Sequence, residues 1–278
     1  MNEAETVLSY LYNCRRTDLY LRRHDKLGKD KAAILCGIFK RRLKGEPLGY
    51  LLGQTEFMGL NFKITADVLL PRQDTEILVE TALEKIKSLK KEIKVLDIGT
   101  GSGCVAISLV KFTPHIKVTA TDISLKAIEL AKQNAVLNLV KEKIEFICCD
   151  LFPGHPSPVT SDQNFDVIVS NPPYIPSKEI NLLQEEVQHE PRIALDGGKD
   201  GLDYYRRIIK EAPRFLKDNG HLLFEIGIGQ AAGVRKITED SGNFMVEEVV
   251  RDYSGIERVL ILKNLGTLLK PIGDLSLA

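Results

Sequence analysis

The stretch Asp97-Ile98-Gly99-Thr100-Gly101-Ser102-Gly103 constrains this chain more than any other. It follows an apolar run at 94–98 that reads as a strand, and it precedes a second apolar run suited to a helix. Glycines at alternate positions let the backbone turn sharply and approach a ligand closely. The helix start behind them offers unpaired N–H groups. Further strand runs are expected at 117–121, 144–148, 165–170 and 221–225, with helical stretches clearest at 125–137 and 202–216. Such alternation predicts a doubly wound α/β fold, a parallel sheet covered by helices on both faces. The runs 244–251 and 258–262 break the pattern. Their connection, with Asp252, Tyr253, Ser254 and Gly255, is too short for a parallel crossover, so an antiparallel hairpin is expected at the C-terminal edge of the sheet. Residues 153–164, with Pro153, Gly154, Pro156 and Pro158, read as a long surface loop.

The segment ahead of this pattern has another texture. Residues 1–52 read as helices interrupted at Gly28 and at Gly45-Glu46-Pro47. Leu35, Ile38, Phe39 and Leu43 share one helical face, and Val7, Leu8 and Leu11 begin a similar one. Residues 56–65 and Val68-Leu69-Leu70 read as a β-hairpin or a pair of short strands, ended by Pro71. Asp74 or Thr75 can cap a helix running from Glu76 to about Lys90. The chain is therefore expected to divide into a small helical domain with a linking hairpin at 1–72 and a sheet domain at 73–278.

Charge and cysteine usage exclude several classes. Thirty-eight basic residues balance thirty-eight acidic ones, which argues against a chain built mainly to grip bare nucleic acid. Residues 1–50 nevertheless hold eleven Lys and Arg against six Asp and Glu, which suits either an acidic or RNA-associated partner or simply a solvated helical surface. Cys14, Cys36, Cys104, Cys148 and Cys149 are odd in number and form no Cys-x-x-Cys pair, so reduced thiols and no metal site are expected. No apolar run reaches the roughly 20 residues of a membrane span, and the acidic start Met1-Asn2-Glu3-Ala4-Glu5 has no signal-peptide core. A cytoplasmic protein is expected.

Two acids sharpen the glycine loop. Asp97 precedes it, and Asp122 closes the next strand, where a carboxylate can accept from both hydroxyls of a ribose. A nicotinamide fingerprint would need glycine at position 104, which is Cys104. The pattern is instead similar to that of S-adenosylmethionine-dependent enzymes of this fold. Asp97, Gly99, Thr100, Gly101, Ser102, Gly103 and Asp122 are accordingly candidate cofactor residues. Asp150 and Leu151 follow the third strand, where they would either border an adenine or serve as a loop acid and its neighbour.

The turn Asn171-Pro172-Pro173-Tyr174 directly follows the strand at 165–170. In a doubly wound sheet that strand lies beside the first, across the switch point where ligands bind. The Asn171 side-chain oxygen can accept one N–H of a planar –NH2 group. Pro172 and Pro173 stiffen the turn and lack N–H groups, leaving a main-chain carbonyl for the other N–H. Tyr174 offers an aromatic face. Such a grip aims the nitrogen lone pair, so orientation and a dry site can carry the chemistry without a strong base.

Other segments resemble the HemK/PrmC-type release factor glutamine methyltransferases. They are Glu46-Pro47-Leu48-Gly49-Tyr50, Glu56-Phe57-Met58-Gly59-Leu60, Leu70-Pro71-Arg72-Gln73-Asp74-Thr75-Glu76, Glu190-Pro191-Arg192-Ile193-Ala194-Leu195 with Gly198-x-Asp200-Gly201-Leu202, and Phe224-Glu225-Ile226-Gly227-x-Gly229-Gln230. The likeness spans essentially the whole chain. One departure stands at Gln73 and Asp74, where the family pattern has proline and glutamate. The resemblance implies a Rossmann-like methyltransferase sheet that binds S-adenosylmethionine through Gly99 to Gly103, Asp122, Asp150, Leu151 and Asn171. It implies that Asn171, Pro172, Pro173 and Tyr174 hold and orient the substrate, the glutamine of the Gly-Gly-Gln motif of class I peptide chain release factors. It implies that the N-terminal helices help recognise the factor, with neither nucleic acid nor membrane as a direct partner. The segment from Glu190 to Leu202 would wall the site or serve structure only, Glu225 would support loops, and His189 suits solvent or packing. The competing enzyme is a nucleic-acid amino-nitrogen methyltransferase using the same turn, which would want a broad basic groove. A cofactor-binding regulatory module without catalysis would not need Asn171.

Overall fold

The computed structural model describes residues 2–89, 92–113, 115–154 and 164–266. Most of the loop expected at 153–164, and the expected helix end at Lys90, lie outside the described residues. Four helices open the chain, α1 (Glu3–Tyr12), α2 (Arg16–Leu21), α3 (Lys29–Arg42) and α4 (Leu48–Leu52). Asn2 caps α1 by accepting from the Glu5 N–H at 2.8 Å, and Glu5 reaches back in a capping box. Gly28 and Pro47 stand immediately ahead of α3 and α4, where the sequence places the breaks. Of the apolar face on α3, Ile38 alone is buried, whereas Phe39 is 53% and Leu43 85% exposed.

A hairpin follows, β1 (Gln54–Phe57) and β2 (Leu60–Lys63), joined by Met58 and Gly59, both at positive φ. Two left-handed residues match the twist of a tight hairpin. The strand expected at Val68-Leu69-Leu70 is absent. Those residues form an irregular segment whose Val68 is buried. α5 (Gln73–Lys87) begins three residues before the expected start, and Arg72 provides no side-chain cap. The expected caps fail because Thr75 turns inward to other partners, described below.

The sheet domain continues as β3 (Ile93–Ile98), α6 (Cys104–Phe112), β4 (Ile116–Asp122), α7 (Leu125–Leu137), β5 (Ile144–Cys148), β6 (Phe165–Ser170), α8 (Glu185–Gln188), α9 (Asp203–Glu211), β7 (Leu216–Glu225), α10 (Ala231–Ser241), β8 (Phe244–Arg251) and β9 (Glu257–Asn264). The strand order is β5-β4-β3-β6-β7-β9-β8. The first five strands in that order run parallel, while β9 pairs antiparallel with both β7 and β8. The edge hairpin is thus present, and the Asp252 carboxylate accepts from the N–H groups of Ser254 and Ile256 in its turn. The helix expected at 202–216 ends earlier, at Glu211, and passes through a short 3-10 turn containing Pro213. Proline removes an N–H and clashes with the preceding turn, so the α-helix stops there. β7 in turn starts at Leu216, ahead of the expected 221, with a register shift where it meets β6.

Successive strand residues face opposite sides, and both sides are buried. Val95, Val118, Val167 and Val169 pack with Leu78 and Ile86 of α5 and Ile107 of α6. Leu96, Ile98, Ile168 and Leu222 pack with Tyr205 and Ile208 of α9 and Val234 of α10. Phe57, Phe62, Ile64 and Val68 join the first of these clusters, so the hairpin segment belongs to the sheet domain's core. Asn134 of α7, fully buried, fixes it there. Its side chain accepts from the Lys63 N–H at 2.7 Å and donates to the carbonyls of Lys63 and Ser102. Among the described residues no helix is long and apolar enough to cross a membrane.

Candidate active site

β3 and β6 lie side by side with Ile98 opposite Ser170, and the Ser170 hydroxyl donates to the Ile98 carbonyl at 2.9 Å. The chain turns away in opposite senses on the two sides of this pair, which opens a crevice at the strand ends. The glycine loop and the Asn171 turn both enter it. The resulting cleft holds about 1050 Å³, its open mouth included.

The loop is held from behind. The N–H groups of Gly99 and Thr100 both donate to the Thr121 carbonyl at 2.9 Å. The Thr100 hydroxyl donates to Asp97 at 2.7 Å. Burial pushes the Asp97 carboxyl up to about 7, against the downward pull of its hydrogen bonds from Thr100 and the Ala106 N–H. Gly99 and Gly101 take positive φ, and a side chain at either would meet nothing within 4 Å. Their backbone therefore presents itself directly to the cleft. Gly103 has a different reason to be glycine, since a Cβ there would come within 3.1 Å of the Ala131 Cβ on α7.

Asp122 ends β4 and accepts from the N–H groups of Gly101 and Ser124, each at 2.9 Å. Burial still raises its carboxyl above the ordinary carboxylate range. Asp150 is half exposed and paired with Arg207 at 2.6 Å. Leu151 adopts φ +65, and its carbonyl accepts from the Thr121 hydroxyl at 2.7 Å. Both residues line the cleft, beside Ile123 and Tyr204.

Asn171 sits at the end of β6. Its Nδ2 donates to the Thr75 hydroxyl at 3.0 Å, and that hydroxyl donates to Glu225 at 2.6 Å. Pro172 is buried and Pro173 half-buried, and both line the cleft. Tyr174 does not line it. Its ring packs against the core beneath α9 and α10, and burial pushes its hydroxyl up to about 12. Gln230 anchors this turn, donating from Nε2 to the Tyr174 carbonyl at 2.8 Å and accepting from the Gly227 N–H at 3.0 Å. The segment from Phe224 to Gln230 is thereby a brace for the Asn171 turn.

The structure thus brings Asp97, Gly99, Thr100, Gly101, Ser102, Asp122, Asp150, Leu151, Asn171, Pro172 and Pro173 to one cleft, with Gly103 and Tyr174 behind its wall. Sequence reasoning missed Thr75, the wall at Asp67 to Pro71, and Tyr204. Leu70, Pro71 and Thr75 fall in a segment that carries the family resemblance, but no local pattern places any of these residues in the cleft, because packing of distant elements delivers them. Ile193 and Ala194 complete the wall, held in place by Glu190, which is buried, pairs with Arg72 and accepts from the Leu70 N–H. Four aspartates, Asp67, Asp97, Asp122 and Asp150, line the cleft, and no Lys or Arg does so among the described residues. Such a lining favours a cationic or neutral ligand over a phosphate-rich one.

Comparison with known proteins agrees with this geometry. Residues 1–53 match the PrmC N-terminal domain, and residues 73–199 match the methyltransferase small domain. The release factor glutamine methyltransferase of Geobacter sulfurreducens is 43% identical over 259 residues, which cover 93% of this chain and 87% of that protein. That of Thermodesulfovibrio yellowstonii is 38% identical over 266 residues, covering 95% and 92%. Among solved structures, a methyltransferase from Pyrococcus furiosus matches with a TM-score of 0.53 at 17% identity, covering 86% of this chain and all (100%) of that one, a likeness of fold. The chain belongs to the release factor glutamine methyltransferase family.

Proposed function

We propose that this chain transfers a methyl group from S-adenosylmethionine to the side-chain amide nitrogen of the glutamine in the Gly-Gly-Gln motif of class I peptide chain release factors, in the cytoplasm. The observation that carries this is the meeting of the glycine loop and Asn171-Pro172 in one cleft free of Lys and Arg among the described residues.

The residues present fit the cofactor. Gly99 and Gly101 leave open space where side chains would stand, a cradle for a ligand at backbone distance. Asp122 spends two acceptor positions on backbone N–H groups and, as a carboxylate with about four, keeps others for ribose hydroxyls. Leu151 and Tyr204 supply apolar surface for a flat ring. The acidic lining suits a sulfonium and an ammonium group. When bound, S-adenosylmethionine supplies an electrophilic methyl group. Asn171 Oδ1 and the Pro172 carbonyl would accept the two N–H groups of the substrate amide and so orient its nitrogen. Orientation of this kind is worth several powers of ten in rate for a weak nucleophile. Pro172 and Pro173, without N–H groups, keep competing donors away from that nitrogen.

The N-terminal helices supply the recognition surface. Tyr20 and Leu21 of α2, Phe39 of α3 and Leu43 at its end are exposed apolar side chains among basic neighbours, the composition of a protein-docking face. Labelled S-adenosylmethionine and a purified release factor test the activity. One methyl group should reach the Gln of Gly-Gly-Gln. Equal labelling of a factor with that Gln replaced by Ala, or efficient labelling of DNA or RNA alone, would overturn it.

A further inference from the structure

We propose that Thr75 and Glu225 are positioning residues that fix which end of the Asn171 amide faces the substrate. The inference rests on the function proposed above and concerns two residues remote in sequence from the turn.

The geometry is directional. Glu225 ends β7 one residue beyond Phe224, which stands opposite Ser170, so it lies alongside Asn171. Thr75 comes from the first turn of α5. Both are buried, at 3% exposure for Thr75 and 1% for Glu225. An ionised carboxylate accepts only, and a threonine hydroxyl has a single proton. That proton goes to Glu225 at 2.6 Å. The Thr75 oxygen is then left as an acceptor, and only the –NH2 end of Asn171 can satisfy it, as it does at 3.0 Å. Asn171 also helps to hold the Glu225 carboxyl down. With its nitrogen committed to Thr75, Asn171 presents Oδ1 to a ligand. That is the atom a substrate N–H requires. Were the amide turned over, an –NH2 group would face another –NH2 group and the grip would be lost.

Protonation of Glu225 would reverse the chain of donors. The acid could donate to Thr75, and the Thr75 proton would then be free to meet Asn171 Oδ1. Burial pushes the Glu225 carboxyl up to about 7, helped by Asp74 and opposed by Thr75, Arg258 and Asn171. Cys104 of α6, Tyr174 and Tyr205 of α9 also feel its charge. The switch therefore lies near neutral pH.

The test uses the full-length chain with S-adenosylmethionine and a release factor, reading kcat, KM and calorimetric cofactor affinity. Thr75→Val keeps the shape and removes the hydroxyl. It should lower kcat about tenfold or more, the equivalent of one lost oriented hydrogen bond, with cofactor affinity changed less than about twofold. Thr75→Ser should recover kcat to within about threefold of wild type. In an Asn171→Ala background, Thr75→Val should add less than about a twofold loss, since the two then act through one missing group. Glu225→Gln gives the second arm should Thr75→Val not fold. It should lower kcat and remove the rise of kcat with pH near neutrality. Unchanged kcat in either folded variant, an unaltered pH profile in Glu225→Gln, or equal losses from Thr75→Val with and without Asn171 would overturn the positioning role. Wild-type inactivity toward the factor would instead overturn the function proposed above. An active wild type with unaffected variants overturns the positioning alone.

Discussion

The helices ahead of Gly53 and the sheet that follows bury apolar surface in very different proportions. Two large clusters cover the two faces of the sheet, with side chains such as Leu78, Leu96, Ile168 and Phe224 wholly out of water. Among the described residues of the helices only Val7, Ile38 and Leu52 are buried, with Leu11, Leu35, Leu48 and Leu51 partly covered. Burying an aliphatic side chain contributes about 1.5–3 kcal/mol, so the sheet domain has ample means to order itself and the helices have little to spare. The difference teaches where recognition can reside. A surface that keeps apolar groups in water gives up stability and gains a place to dock. The site itself is built on strand ends and the helix behind them, which hold positions far better than a marginal bundle could.

The sharpest way to break this comparison is to cut it. A chain lacking residues 1–53 should remain folded and bind S-adenosylmethionine, while its KM for the intact release factor rises by about tenfold or more. A chain lacking 1–72, the boundary that sequence texture suggests, should not fold cooperatively. It loses Phe57, Phe62, Ile64 and Val68 from the first cluster. At about 2–5 kcal/mol for each large buried side chain, the loss is comparable to the whole stability of an ordinary domain, about 5–15 kcal/mol. Thermal melts followed by circular dichroism separate the two. Equal melts would make the hairpin an appendage of the helices.

Within the sheet domain the two halves of the cleft should respond separately. Asp122→Ala removes the acceptor proposed for ribose, which also holds the Gly101 N–H, and should weaken cofactor binding by about 1.5–3 kcal/mol. Asn171→Ala should lower turnover by about a hundredfold or more, with a smaller change in cofactor affinity. Calorimetry on both variants checks the ordering, and the reverse ordering would exchange the roles assigned to the two strand ends.

How much of this was legible beforehand differs between the same regions. The glycine loop, Asp122 and the Asn171 turn were readable because each ends an apolar strand, and parallel topology delivers strand ends to one crevice. α7 was readable to the residue, since Ser124 caps it and its apolar period is unbroken. Thr75 was misread as a cap, because a threonine at a helix start usually is one and nothing local reveals a partner 150 residues away. Tyr174 reads as a substrate platform by chemistry, whereas Gln230 and the core behind it draw its ring inward. The face of Leu35, Ile38, Phe39 and Leu43 shows the limit of periodicity. The pattern marks a stripe as apolar and is silent on whether anything covers it.

The buried acids give the sheet domain a pH dependence opposite in sign to that of the helices, where arginines hold Glu3 and Glu46 below the usual carboxylate range. The Glu225 carboxyl is raised from 4.5 to about 7 in the folded chain. Between those values the native state holds a proton that the unfolded chain releases, so folding stability falls as pH rises through that window. Asp97, raised from 3.8 to about 7, acts in the same sense. Glu225→Gln stays neutral throughout. It should gain on wild type by about 3 kcal/mol at pH 8 and by almost nothing at pH 4, as urea titrations at both values would show. The same substitution is expected to slow turnover, a case of function holding a group the fold disfavours. Parallel stability curves for the two proteins would mean that Glu225 titrates normally.

The smallest effect is expected where the two regions touch. Arg42, near the end of α3, pairs with Glu3 of α1 at 2.7 Å and with Glu186 of α8 at 2.5 Å, while His189 meets the Lys44 carbonyl at 3.1 Å. α8 leads on to Glu190 and the cleft wall at Ile193, so this contact ties the N-terminal helices to the site. Exposed ion pairs are worth about 0–1 kcal/mol, because long side chains lose freedom and water screens the charges. Arg42→Ala should therefore shift stability by no more than about 1 kcal/mol, and raising salt should reproduce part of that shift in the wild type. Its KM for the release factor should rise far less than on removal of 1–53, since the exposed apolar side chains proposed to dock it are untouched. A KM as high as that of the truncated chain, in a variant that melts normally, would move Arg42 from the seam between the regions to the surface that binds the factor. The same KM accompanied by a lowered melt would show that the seam itself sets the docking geometry.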